Sequence, residues 1–161
     1  MGIAITGMGV ISAIGNNVAE NLAALKSAKP GIAPIHMKNL RKPYLGGQIK
    51  FSDDQFKEIL GIPADKVVPR STLLSIHAAK EAWGNRSNDK HIRTGAISAT
   101  SVGGMELSEQ FYFDFKDNES LALLQNLSTH DNGAGTDILA NYVGIDTYKF
   151  TISTACSSAA N

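Results

Sequence analysis

Strand-like and helix-like segments alternate along this chain, and that alternation constrains the fold more than any other feature. GIAIT, TGAISAT and YKFTIST are short β-rich apolar runs that read as strands. LGGQIKF is a further strand candidate. Helical patterns fall between them. Asn16 or Asn17 can cap a helix through NNVAENLAALKSA, which sets Val18, Leu22 and Leu25 on one face and stops at Pro30-Gly31. DDQFKEIL reads as a short capped helix. Ser71 starts a longer one, with Leu73, Ile76, Ala79 and Trp83 inward. Gly103-Gly104 breaks the second strand, and MELSEQFYFDF then carries Leu107, Phe111 and Phe115 at helical spacing. ESLALLQNL is helical in pattern, and GTDILANYVG is a helix ended by Gly144. Such alternation predicts an α/β fold with a largely parallel sheet.

Length and charge exclude some functions. The 161 residues can hold one ordinary domain with a sizeable core. A formal net charge of zero offers no electrostatic case for nucleic acid as a partner. MGIAITGMGV lacks the basic leader and long apolar core of a signal peptide. No apolar run approaches the roughly 20 residues of a membrane span. One cysteine cannot form an internal disulfide, which fits a reducing, cytoplasmic setting.

That cysteine, Cys156, stands in STACSSAAN, directly after the strand-like YKFTIST. If ACSSAAN begins a helix, Cys156 lies at the strand-to-helix bend, where unpaired N–H groups favour a thiolate and can donate to an oxyanion. Ala155, Ser157, Ser158, Ala159 and Ala160 are small enough for a tight bend and close substrate approach. The arrangement is that of a nucleophile elbow, with Cys for Ser and without flanking glycines. Pattern alone also admits a buried, inert cysteine acting as a small hydrophobe.

Three blocks carry a resemblance. STACSSAAN resembles the active-site segment of the β-ketoacyl-[acyl carrier protein] synthases, condensing enzymes of the thiolase superfamily. IAITGMGVISAIGNNVAENLAALKSAKPGI resembles that family's N-terminal strand, glycine turn and first helix. GAISATSVGGMELSEQF resembles its central strand and Gly-Gly segment. The blocks occur in family order and span nearly the whole chain. The resemblance implies a thiolase-like αβαβα sandwich, of which residues 1–161 would form an incomplete N-terminal half. It implies that Cys156 accepts an acyl group from acyl carrier protein or coenzyme A. The acyl-enzyme then condenses with the carbanion formed by decarboxylating a malonyl thioester. No metal and no cofactor are implied. Val102, just before Gly103-Gly104, matches a position lining the acyl tunnel, with plain core packing as its other reading. Lys66 and Arg70 precede a helix that lies near the carrier-docking surface in relatives. Basic groups there would speed association with an acidic carrier, although a solvated helix start is the favoured reading of them. Relatives pair as homodimers through the strand before the nucleophile, here YKFTIST.

Two features depart from the family or fall outside it. Many relatives carry an Asn-x-x-Ala-Gly segment at the dimer interface and tunnel, whereas this chain reads THDNGAGTDILANYVG, with different spacing to Cys156. Chain-length preference therefore does not follow from the resemblance. The family's decarboxylation residues, two histidines and a lysine, lie well beyond the cysteine, so the 161 residues alone are expected not to catalyse condensation. His36, His77, His91 and His130 match none of those motifs, and His130 is the one expected nearest the site. Two rivals come from other classes. A non-catalytic partner subunit of a synthase would lack the active cysteine. A dinucleotide-binding oxidoreductase could use Gly7 and Gly9 after a strand, but Ser12 stands where a third glycine is needed and no acidic residue follows at the ribose position.

Overall fold

The structure is a computed structural model and describes residues 2–35, 42–86, 91–118 and 121–161. Helix α1 spans Val18–Lys26, and β1 (Ile32–Ile35) pairs antiparallel with β2 (Tyr44–Gly47). Helices α2 (Asp53–Leu60) and α3 (Arg70–Trp83) follow. Strand β3 (Gly95–Ala99) then leads into α4 (Met105–Asn118), a 3₁₀ stretch (Leu121–Thr129) and α5 (Ala134–Val143). Strand β4 (Tyr148–Ile152) closes a βαβ crossover by pairing parallel with β3, from Gly95 opposite Tyr148 to Ala99 opposite Ile152. A second 3₁₀ stretch, Ala155–Ala160, carries the cysteine.

Local chemistry sets the helix ends. In α2, Ser52 Oγ accepts from Gln55 N at 3.2 Å while Ser52 N donates to Gln55 Oε1 at 2.8 Å, a reciprocal capping box. Gly61 ends that helix at φ 66°, a left-handed conformation that costs glycine little. Asn17, rather than Asn16, caps α1 by accepting from Glu20 N at 2.8 Å. As expected, Gly144 ends α5.

The core lies among α2, α3 and α5. Phe56, Leu60, Val68, Leu73 and Ile76 are buried together, with Ile138, Leu139 and Tyr142 packed against them. Full burial of each large aliphatic or aromatic side chain contributes about 1.5–3 kcal/mol. The Phe56 ring meets Phe51 and His77 edge-on, each at a centroid distance of 5.5 Å. Polar contacts tie the βαβ sheet to α5: Lys149 Nζ lies 2.7 Å from Asp137 Oδ1, and the Thr136 and Thr151 hydroxyls are 2.6 Å apart. By strand alternation Ile97 and Phe150 take the opposite face, where they are 72% and 60% exposed.

Four expectations need correction. GIAIT forms no strand: no ladder partner reaches it among the described residues, and Ile3 and Ile5 are exposed. A strand exists only by pairing its N–H and C=O groups, and β3 and β4 satisfy each other instead. The inward face of α1 is not Val18, Leu22 and Leu25 but Asn21 and Ala24. Asn21 turns inward because its amide donates to Gly15 O and Asn17 O, while its Oδ1 accepts from Ser12 Oγ at 2.5 Å. Residues 121–129 and 155–160 are 3₁₀ rather than α-helical. Strand β1 was hidden in the sequence by Pro34, a residue sheets accept only at edges and bulges.

Candidate active site

Three loops meet beyond the C-terminal ends of β3 and β4, the end of a parallel sheet where ligands bind in open α/β folds. Thr100 N donates to Ile152 O at 3.1 Å, extending the parallel ladder by one residue and bringing residue 101 beside residues 153–155. Gly103 turns the chain into α4 at φ 57°, and a Cβ there would stand 2.6 Å from Asn132 Oδ1. The Asn132 amide reaches on to Ser153 Oγ at 2.9 Å. Loops 100–104, 130–133 and 153–155 are thereby joined.

The turn before the cysteine is the tightest part. Ala155 adopts φ 53°, a left-handed conformation that costs a residue with a Cβ about 1–2 kcal/mol. Two side chains hold it. Ser101 Oγ donates to Ala155 O at 3.0 Å, and Ser158 Oγ donates to the same oxygen at 2.6 Å. Ser158 is buried and also accepts from Thr154 N at 2.9 Å. Ser157 Oγ turns back to Thr154 O at 2.9 Å, and the Asn161 amide closes the turn on Thr154 Oγ1 at 2.8 Å and Ser157 O at 3.0 Å. With its serine neighbours committed to the turn, Cys156 is an exposed free thiol. Nothing among the described residues buries the cysteine.

Within residues 1–161 the bend runs into a 3₁₀ stretch, Ala155–Ala160. What the turn supplies is individual, oriented peptide groups.

The other candidates fall in different places. Val102 is 50% exposed and follows Ser101, on the rim beside the cysteine turn. The Arg70 guanidinium is occupied internally. It pairs with Asp53 Oδ1 at 2.5 Å, donates to Ile49 O and Phe51 O, and lies over the Phe56 ring at 5.7 Å. Lys66 is exposed, with its N–H bonded to Pro63 O. His130 is exposed, and its Nδ1 lies 2.8 Å from Ser108 Oγ on α4. His77 packs between Phe51 and Phe56 and bonds Asn16 O through Nε2 at 2.9 Å. His91 is exposed at the approach to β3. His36 lies outside the described residues. Sequence reasoning missed Ser101, Asn132 and the anchoring role of Ser158. The only signal was the density of small hydroxyl residues in SATSVGG and STACSS.

The glycine turn has a structural use. A Cβ at Gly9 would overlap the Ala78 carbonyl oxygen and stand 2.9 Å from Ala82 N, and one at Gly7 would overlap the Ala82 carbonyl oxygen. These glycines let the segment lie on α3, which leaves no room there for a dinucleotide phosphate. Behind the site, a cavity of about 50 Å³ lined by Ser71, Thr72, Ser98, Thr100, Asn132 and Thr136 has space on the scale of single waters rather than an acyl chain. Among the described residues, no group of three or more His, Cys, Asp or Glu side chains could hold a metal ion, and no helix is long and apolar enough to cross a membrane.

Among solved structures, the chain is similar to one titled the ishigamide ketosynthase/chain length factor, with a TM-score of 0.76 and 17% sequence identity over 96% of this chain. At that identity the likeness defines the fold: α/β, of the thiolase-like type. The chain spans 44% of that solved chain's length. The family follows from the sequence: a model of the beta-ketoacyl synthase N-terminal domain matches residues 1–161, and the chain belongs to that family. Comparison with curated proteins gave no match.

Proposed function

We propose that the protein is a β-ketoacyl-acyl carrier protein synthase of fatty-acid or polyketide-type synthesis, to which residues 1–161 contribute an N-terminal half-domain with Cys156 as nucleophile. The carrying observation is the exposed Cys156 thiol, set on a hydrogen-bonded turn at the ligand-binding end of a parallel strand pair. In the first step Cys156 Sγ attacks the acyl thioester carbonyl, the carrier thiolate leaves, and the acyl group is held as a thioester. In the second, a malonyl thioester loses carbon dioxide, and the resulting enolate carbon attacks the acyl carbonyl. Cys156 thiolate leaves, and the product is a β-ketoacyl thioester two carbons longer. Covalent catalysis of this kind divides one difficult transfer into two easier ones.

In this reading Val102 borders the acyl tunnel and an acyl carrier protein is the partner. Of the two basic residues proposed for docking, Lys66 is the better placed, because Asp53 already neutralises Arg70. The outer edge of β4 pairs with a second copy to form a homodimer, which would satisfy its exposed backbone groups. Decarboxylation is assigned to residues beyond position 161, and the setting is cytoplasmic.

The test is to incubate the intact protein with an acyl-carrier thioester and map adducts by peptide mass. The expected result is an acyl adduct on the Cys156 peptide, labile to hydroxylamine and absent from Cys156→Ala. An adduct elsewhere would refute the assignment. No adduct at all would refute Cys156 as the acyl acceptor.

A further inference from the structure

The peptide between Ala155 and Cys156 is held more firmly than a turn requires. Its carbonyl oxygen receives two hydroxyl groups from different parts of the chain, Ser158 within the turn and Ser101 from the loop after β3. A peptide unit is planar, and no cis bond occurs among the described residues, so C=O and N–H point in opposite directions. Anchoring Ala155 O therefore aims the Cys156 N–H away from Ser101 and Ser158. Ala155 itself holds a left-handed φ of 53°, so the backbone entering this peptide is constrained as well.

We propose that Ser101 and Ser158 are positioning residues for Cys156: by holding Ala155 O they fix the direction of the Cys156 N–H, a donor to the oxyanion formed when Sγ attacks a thioester. The inference rests on Cys156 being the acyl-accepting nucleophile. When Sγ bonds to the carbonyl carbon, the C=O π pair moves onto oxygen. A donor already oriented there needs no reorganisation as that charge develops. Ser101 is exposed and stands 54 positions from Ala155, so its contribution comes through this bond rather than through core packing.

Two reactions at the same sulfur separate positioning from general damage. Acylation by an acyl thioester builds charge on a carbonyl oxygen. Alkylation by iodoacetamide displaces iodide from a CH₂ group and builds no such charge. Both rates are measured on the intact protein as wild type, Ser101→Ala and Ser101→Thr. The expected result is that Ser101→Ala slows acylation on the order of 10- to 100-fold while alkylation stays within about twofold, and that Ser101→Thr, which keeps the hydroxyl, restores acylation. Ser158→Ala also strips the acceptor from Thr154 N, so Ser101→Ala carries the test if that variant does not fold. Ser101→Ala acylating at the wild-type rate, both rates falling together, or Ser101→Thr acylating as slowly as Ser101→Ala would each overturn the inference. A wild-type protein alkylated at Cys156 but never acylated there would overturn the nucleophile assignment itself, a different signature from any of these.

Discussion

Glu81 holds residues 10–18 against α3, and its removal should release that segment. Its two carboxylate oxygens each accept a backbone donor, Val18 N at 2.8 Å and Val10 N at 3.0 Å. One turn earlier on α3, His77 Nε2 bonds Asn16 O at 2.9 Å. These contacts and the glycine approach to Ala78 and Ala82 form one interface, so residues 10–18 are fixed to α3 by polar groups instead of a sheet ladder. Hydrogen bonds to charged groups contribute about 1.5–3 kcal/mol each, and the exposed Val10 bond belongs at or below the low end. Glu81→Ala should then ease local opening of residues 10–18 by about 2–3 kcal/mol, which is about 30- to 160-fold in amide exchange. Glu81→Gln should fall between, because its amide keeps one acceptor and turns an NH₂ toward the other N–H. The assay is hydrogen–deuterium exchange of the intact protein, following peptides over residues 8–20 with a peptide from α2 as internal control. Unchanged exchange over residues 8–20 in Glu81→Ala would refute the reasoning. So would an equal rise in the α2 peptide, which would mark global destabilisation rather than release of a clamp.

Ile76→Ala, in a fully buried core position, should destabilise the protein by about 2–5 kcal/mol in chemical denaturation, and a loss under about 1 kcal/mol would contradict the core placement. Tyr142→Phe removes the hydroxyl that donates to Leu60 O at 2.9 Å and should cost about 1 kcal/mol by the same measurement. At micromolar concentration the intact protein should sediment as a dimer; a well-folded monomer would count against pairing at the β4 edge. A chain cut to residues 1–161 should release no carbon dioxide from a malonyl thioester and form no β-ketoacyl product. Turnover comparable to the intact protein would make His130 a serious catalytic candidate.

What was legible in the sequence was what local patterns encode. DDQFKEIL reads as a short capped helix, and the structure forms it as α2, capped by Ser52 and ended by Gly61. Leu73 and Ile76 share a helical face and are both buried. The TGAISAT and YKFTIST runs became the parallel pair. GIAIT failed because strand propensity describes only a readiness to pair, and no described residue supplies its partner. The inward face of α1 was misread for a different reason. Its leucines follow a clean helical stripe, but Asn21 makes three side-chain hydrogen bonds with Ser12, Gly15 and Asn17, and these turn that position inward. A buried amide left without partners costs more than a half-exposed leucine, so the polar group sets the rotation of the helix.

The same logic explains why the site was only half visible. A lone cysteine among small residues after a strand is a local signal, read directly from residues 148–161. The groups that shape its turn are not local. Ser101 meets Ala155 across 54 positions, and Asn132 meets Ser153 across 21. Serine and asparagine are too common for either pairing to show in composition or periodicity. The sequence argument therefore gave the turn's chemistry to unpaired N–H groups at a helix start, and it could not show the two hydroxyls that share one carbonyl. That anchor has its own physical consequence. A single anchored peptide acts on one atom in one direction, so its effect should vanish with one hydroxyl and return with threonine in its place.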